Sequence, residues 1–142
     1  MMTTIHIEEK ILQEKILQAF SEVFFEGREG VDFSNNFNEK SEIDLDYFLR
    51  PAGFRISINI WTSAFHEEKD IYPYLPMLSN TLQSRIFIDN RRYYGELFAP
   101  GQPVKIAKYN YVEQGEDGSN DYVVILEVYN PGEPLPDDYS LT

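Results

Sequence analysis

Phe54-Arg55-Ile56-Ser57-Ile58-Asn59-Ile60-Trp61 is the stretch on which the reading of this chain turns. Phe54, Ile56, Ile58 and Ile60 alternate with Arg55, Ser57, Asn59 and Trp61, the period-two pattern of a strand with one apolar face. Pro51 and Gly53 mark a turn before it. Upstream, Ile43, Leu45 and Tyr47 alternate with Asp44, Asp46 and Phe48, a second short strand with a partly acidic face. Residues 28–42 between that strand and the preceding helix are polar with scattered Phe and read as a loop with at most one short extended piece.

Two segments change period. From about Glu8 to Phe25, apolar residues Ile11, Leu12, Ile16, Ala19, Phe20, Val23 and Phe24 recur at three- and four-residue steps. That spacing predicts an amphipathic helix with one core stripe, acidic in its first turn and stopped by Gly27 and Gly30. Its polar face is too acidic for an anionic lipid surface. Ile71, Leu75, Leu78, Leu82 and Ile86 predict a second helix over roughly 71–86, regular only from about Pro76 because proline breaks helix interiors. Alternatively, Ile86-Phe87-Ile88 starts a short strand, and Gly95, Pro100, Gly101 and Pro103 mark turns beyond it.

The last third predicts a hairpin, Val104–Val112 and Asp121–Tyr129, around the loop Glu113–Asn120. Tyr122–Tyr129 is apolar on both faces over most of its length, which predicts a central strand covered on both sides. Residues 131–142, with proline and aspartate and no periodicity, predict an extended arm. The expected architecture is one α+β domain over 1–130. It has one mostly antiparallel sheet of about four to five strands packed with two helices.

The charge balance narrows function. In the 142 residues, 24 acidic and 12 basic side chains give a net charge of −12. A generic nucleic-acid binder needs the opposite sign, to neutralise phosphates. No apolar run approaches the roughly 20 residues of a membrane helix. The N-terminus has no basic stretch leading an apolar one, so no secretory signal is expected. The absence of cysteine excludes disulfides, thiolate metal sites and cysteine nucleophiles. Charge is uneven: residues 1–48 carry −7, 49–112 carry +3 and 113–142 carry −8. An acidic surface also serves simple solubility.

Catalytic and cofactor patterns are sparse. Of the two histidines, His66 lies near Ser63, but no Ser sits in a G-x-S-x-G elbow. Asp70 stands where H-E-x-x-H needs its second histidine, so Glu67, Glu68 and Asp70 read as solvated charge. Glu113, Glu116, Asp117, Asn120 and Asp121 are dense enough in oxygen to suggest calcium, but Gly118 directly after Asp117 breaks the EF-hand order and favours a plain turn. The glycines of Glu26–Val31 follow a helix rather than a strand, so they are not a phosphate cradle. No enzyme activity, cofactor or metal is expected. Arg91-Arg92-Tyr93-Tyr94 is the one basic–aromatic cluster and fits a protein interface, as does Trp61.

The order helix, strand ending in Ile60-Trp61-Thr62-Ser63, Leu-striped helix Ile71–Ile86, and hairpin around an acidic glycine loop (Val104–Asn130) resembles the tail-terminator and head–tail joining proteins of tailed bacteriophages. The resemblance implies a non-enzymatic virion subunit, assembled in the host cytoplasm, that forms a homo-oligomeric ring between tail tube and head connector. Other tail and neck proteins would be its partners, and DNA would pass without specific binding. In that frame Glu113, Glu116, Asp117 and Asp121 are candidates for an acidic lumen or a neighbour contact. The competing expectation is a small acidic immunity or DNA-mimic protein that neutralises a basic toxin or nuclease by direct binding.

Overall fold

A computed structural model describes residues 1–141 of the chain. The elements are β1 (Met2–Ile7), α1 (Gln13–Phe25), β2 (Val31–Phe33), β3 (Ile43–Leu49), β4 (Ile56–Thr62), α2 (Leu75–Leu82), β5 (Ile86–Ile88), β6 (Tyr94–Phe98), β7 (Lys105–Val112) and β8 (Tyr122–Tyr129). Short 3-10 turns cover Ser34–Asn36, Glu68–Tyr74 and Asp137–Leu141. All eight strands form one sheet in the order β2-β3-β4-β1-β5-β6-β7-β8. The α+β class and the largely antiparallel pairing agree with expectation, β2–β3 being the parallel pair. The count of four to five strands is wrong.

The missing strands are those with weak local signals. β2 is three residues long, too short for a period to register, and β6 contains the turn-marking Gly95; β5 is the short strand that Ile86-Phe87-Ile88 offers as the alternative to a longer helix. β1 reads Met-Thr-Thr-Ile-His-Ile, yet it occupies the middle of the sheet, antiparallel to both β4 and β5. α1 begins at Gln13 rather than Glu8, because the strand runs to Ile7 and the chain must turn before the helix. α2 ends at Leu82, and Ile86 belongs to β5.

One face of the sheet is the main core. Ile5 and Ile7 of β1, Ile56, Ile58 and Ile60 of β4, Ile43 and Leu45 of β3, and Ile86 and Ile88 of β5 meet Ile16, Ala19, Phe20 and Val23 of α1 and Leu75 and Leu78 of α2. The β4 alternation is therefore read correctly from Ile56 onward. Phe54 is the exception. It sits in the turn before the strand and packs on the opposite face, with Phe87, Leu97, Ala107 and Val123.

That second cluster exists because the sheet coils on itself. The Phe54 amide donates to the Val123 carbonyl at 3.0 Å, and Arg50 Nη1 donates to the Gly118 carbonyl at 2.9 Å. Val123 lies on β8, five positions from β4 in the sheet order. Gly53 (φ +59°) allows the approach, since a Cβ there would stand 2.2 Å from the Val123 carbonyl oxygen. β8 is thus an edge strand, not a central one. Its apolar content is divided: Val123 is fully buried under the 50–55 turn, whereas Leu126 and Val128 remain exposed.

The expected C-terminal arm is irregular only as far as Pro136. Its end then packs back on its own chain. Tyr94 donates its hydroxyl to Asp138, the Tyr139 ring meets the Tyr94 ring edge-on at 5.3 Å, and Arg91 lies 4.2 Å over the Tyr139 ring.

Candidate functional site

The face opposite the helices holds the chemistry. Cross-strand register places side chains there in rows, since directly paired residues share a face. One row runs Asp32, Asp44, Trp61, Met2 across β2, β3, β4 and β1. The next runs Asp46, Asn59, Thr4. A third runs Phe48, Ser57, His6, Phe87, Leu97, Lys105.

Where the β7–β8 hairpin folds back, these rows border a cleft of about 440 Å³ lined by Thr4, His6, Arg50, Asn59, Asp89 and Tyr111. His6 is 5% exposed. Its Nδ1 lies 3.0 Å from Ser57 Oγ and its Nε2 lies 3.4 Å from Asp89 Oδ1. Arg50 Nε donates to the same Ser57 oxygen at 3.0 Å. One tautomer satisfies the set, with the Ser57 hydroxyl donating to Nδ1 and Nε2–H donating to Asp89. The residue types match a nucleophilic triad, but Ser57 is 2% exposed and does not line the cleft. Its oxygen is held by His6 and Arg50, so the array ties together β1, β4 and the chain on either side of them. Tyr111, beside it, is pushed up by burial and by the Asp121 carboxylate.

Toward β2 the same face is uncovered. Trp61, Met2 and Phe48 are 46%, 44% and 41% exposed. The Trp61 indole N–H donates to Asp46 Oδ2 at 2.6 Å, and the Ser34 hydroxyl donates to the other Asp46 oxygen. Asp44 accepts from the Ser41 hydroxyl at 2.6 Å. Asp32 accepts from Asn36 at 2.6 Å, Asn38 at 3.1 Å and the Phe33 amide at 2.8 Å, and the Asn36 bond leads the causes that lower its pKa. The donors are all neutral groups, and they fix where each carboxylate stands.

The sequence candidates separate. Trp61 lies on this open patch. Glu113, Glu116 and Asp117 stand exposed in the hairpin loop, where Asp117 binds the amide and hydroxyl of Ser119, which hold its pKa down. Asp121 is buried and accepts from the Gln114 amide at 3.0 Å, a bond that closes the loop. No group of three or more His, Cys, Asp or Glu among the described residues could hold a metal ion. The Arg91–Tyr94 cluster is divided: Tyr94 is buried, Arg91 holds the chain end, and Arg92 and Tyr93 stay exposed. His6, Ser57, Arg50 and Asp89 were missed as a group. Reading Met2–Ile7 as a strand would have set His6 opposite the Ile5–Ile7 face.

No protein-family model, curated protein or solved structure matches the chain.

Proposed function

We propose that this protein acts by direct binding to a basic protein partner, as an acidic immunity-type or inhibitor subunit, and carries out no catalysis. The observation that supports this reading is the unspent negative charge. Arg85 pairs with Glu8, Arg28 with Glu26 and Lys69 with Glu67, and with 24 acidic side chains against 12 basic ones most of the negative charge has no cation to match it one to one. Arg50 and Arg55 are used on backbone carbonyls instead. A surplus of free carboxylates repels nucleic acid and speeds association with a cationic protein surface. The test is affinity capture with the full chain from its native source, with the captured mass and stoichiometry determined. A basic partner bound one to one, and released as salt screens the interface, is the expected result. Capture only of copies of this chain, or of neutral and acidic proteins, would overturn it.

A second reading, the ring-forming phage tail-terminator subunit, has its own supporting observation. β8 is an edge strand with Leu126 and Val128 exposed, the kind of edge a heterologous ring closes upon. Light scattering separates the two. A protomer of 16.6 kDa favours the first, and a closed oligomer the second. In the ring, reversing Glu116 and Asp117 to Lys would leave folding intact and impair DNA passage.

A further inference from the structure

Trp61 and Met2, cross-strand neighbours, and Phe48 two rows along are exposed on the part of the face that the coiled hairpin leaves uncovered, with the carboxylates of Asp32, Asp44 and Asp46 standing among them. Such an acid-rimmed aromatic patch is wasteful for a surface that only keeps a chain in solution, because solvent-exposed indole gains nothing in water. We infer that this open end of the sheet is the docking surface for the basic partner, and that it takes an extended segment with alternating cationic and apolar side chains. The inference rests on the preceding reading for the sign of the partner's charge.

Three features carry it. Asp44 and Asp46 are two apart on one strand, so their carboxylates repeat at roughly 6.6–6.8 Å, the repeat of alternate side chains on an extended segment. The Trp61 ring is already held by its bond to Asp46, so little freedom is lost when a partner covers it. An indole face beside carboxylates also attracts Lys and Arg by cation–π contact. Neither nucleic acid nor a second copy of this face fits, because each would set negative charge against the aspartates.

Trp61 is the only tryptophan, so its emission reports the patch directly. The probes are two synthetic seven-residue peptides, alternating Lys and Leu in one and Glu and Leu in the other. The Lys peptide is expected to shift Trp61 emission saturably and the Glu peptide to leave it unchanged. Calorimetry on D32N/D44N, which keeps Trp61 and Asp46, should show roughly three- to tenfold weaker binding of the Lys peptide, from two lost charge contacts. Unchanged emission with the Lys peptide, or equal affinity in D32N/D44N, overturns the inference. The two proposals fail separately. If a basic partner is captured and both D32N/D44N and Trp61→Ala retain it at full affinity, the surface is wrong and the function stands. If the Lys peptide binds the patch but no basic partner is captured, the function is wrong and the surface stands.

Discussion

Phe48 and Phe87 stand in one row on one face of the sheet, three strands apart, and meet opposite fates. Phe87 is fully buried, packed against Phe54 at 6.3 Å and Tyr109 at 5.2 Å between ring centres. Phe48 stays 41% exposed, with the Arg50 guanidinium 5.5 Å from its ring centre. Both sit on strands paired within the same sheet. The difference is made by the β7–β8 hairpin, which returns over β5 and β1 and stops short of β3. One end of the face becomes core and the other stays exposed. A single curled sheet thus buries one end of a surface and leaves the other end of the same surface exposed.

The sharpest way to break this comparison is truncation at both positions. Phe87→Ala should destabilise the fold by about 3–5 kcal/mol through lost burial and the cavity left behind. Phe48→Ala should cost less than about 1 kcal/mol, as surface substitutions do. Urea unfolding midpoints measure both, and equal losses would mean that the open end is covered. The next effect is at the latch. Gly53→Ala puts a Cβ against the Val123 carbonyl at a positive φ and should cost roughly 1–3 kcal/mol. Faster hydrogen exchange at the Phe54 amide would show that the hairpin has loosened rather than the whole fold.

A smaller effect appears at alkaline pH. Tyr94 is pushed up to about 12 from 10.0, chiefly by its hydrogen bond to Asp138, then by burial. A folded value above the unfolded one means stability that is whole below pH 10.0 and is lost as pH rises through about 12. Tyr129, held by Glu127, is pushed up to about 12 as well. Asp138→Asn should therefore return one late-titrating tyrosine, not both, toward the ordinary range in an ultraviolet absorbance titration. It should also narrow the alkaline loss of stability. Smallest is Asp46→Asn at the open end, where the indole loses a charged acceptor. Stability should change by about 1 kcal/mol or less, because water replaces much of an exposed hydrogen bond, while Trp61 emission shifts clearly.

Much of the site was hidden for the same reason that the strand count was low. Trp61 could be singled out because it ends an unmistakable strand. Asp44 and Asp46 were visible as the acidic side of a short alternation. The polar array was not, since His6 and Ser57 are 51 residues apart and come together only through the β1–β4 register. The apolar sequence of Tyr122–Tyr129 misled in the other direction. Apolar residues on both faces predict central placement, but one part of the strand lies under a turn and another at an exposed edge.

By itself the sequence determined which residues turn inward on α1, β3 and β4 from Ile56 onward, the position of the C-terminal hairpin, and a net acidic composition. These follow from local periodicity and composition, which act over a few residues. Only the tertiary structure decided that Met2–Ile7 lies at the centre of the sheet, that β8 lies at its edge, and that one half of a face is closed while the other is open. Strand order and coiling arise from pairings between distant segments, stabilised by whole surfaces rather than by any one stretch. A side chain's period records that it will be buried or exposed, but not what will lie against it.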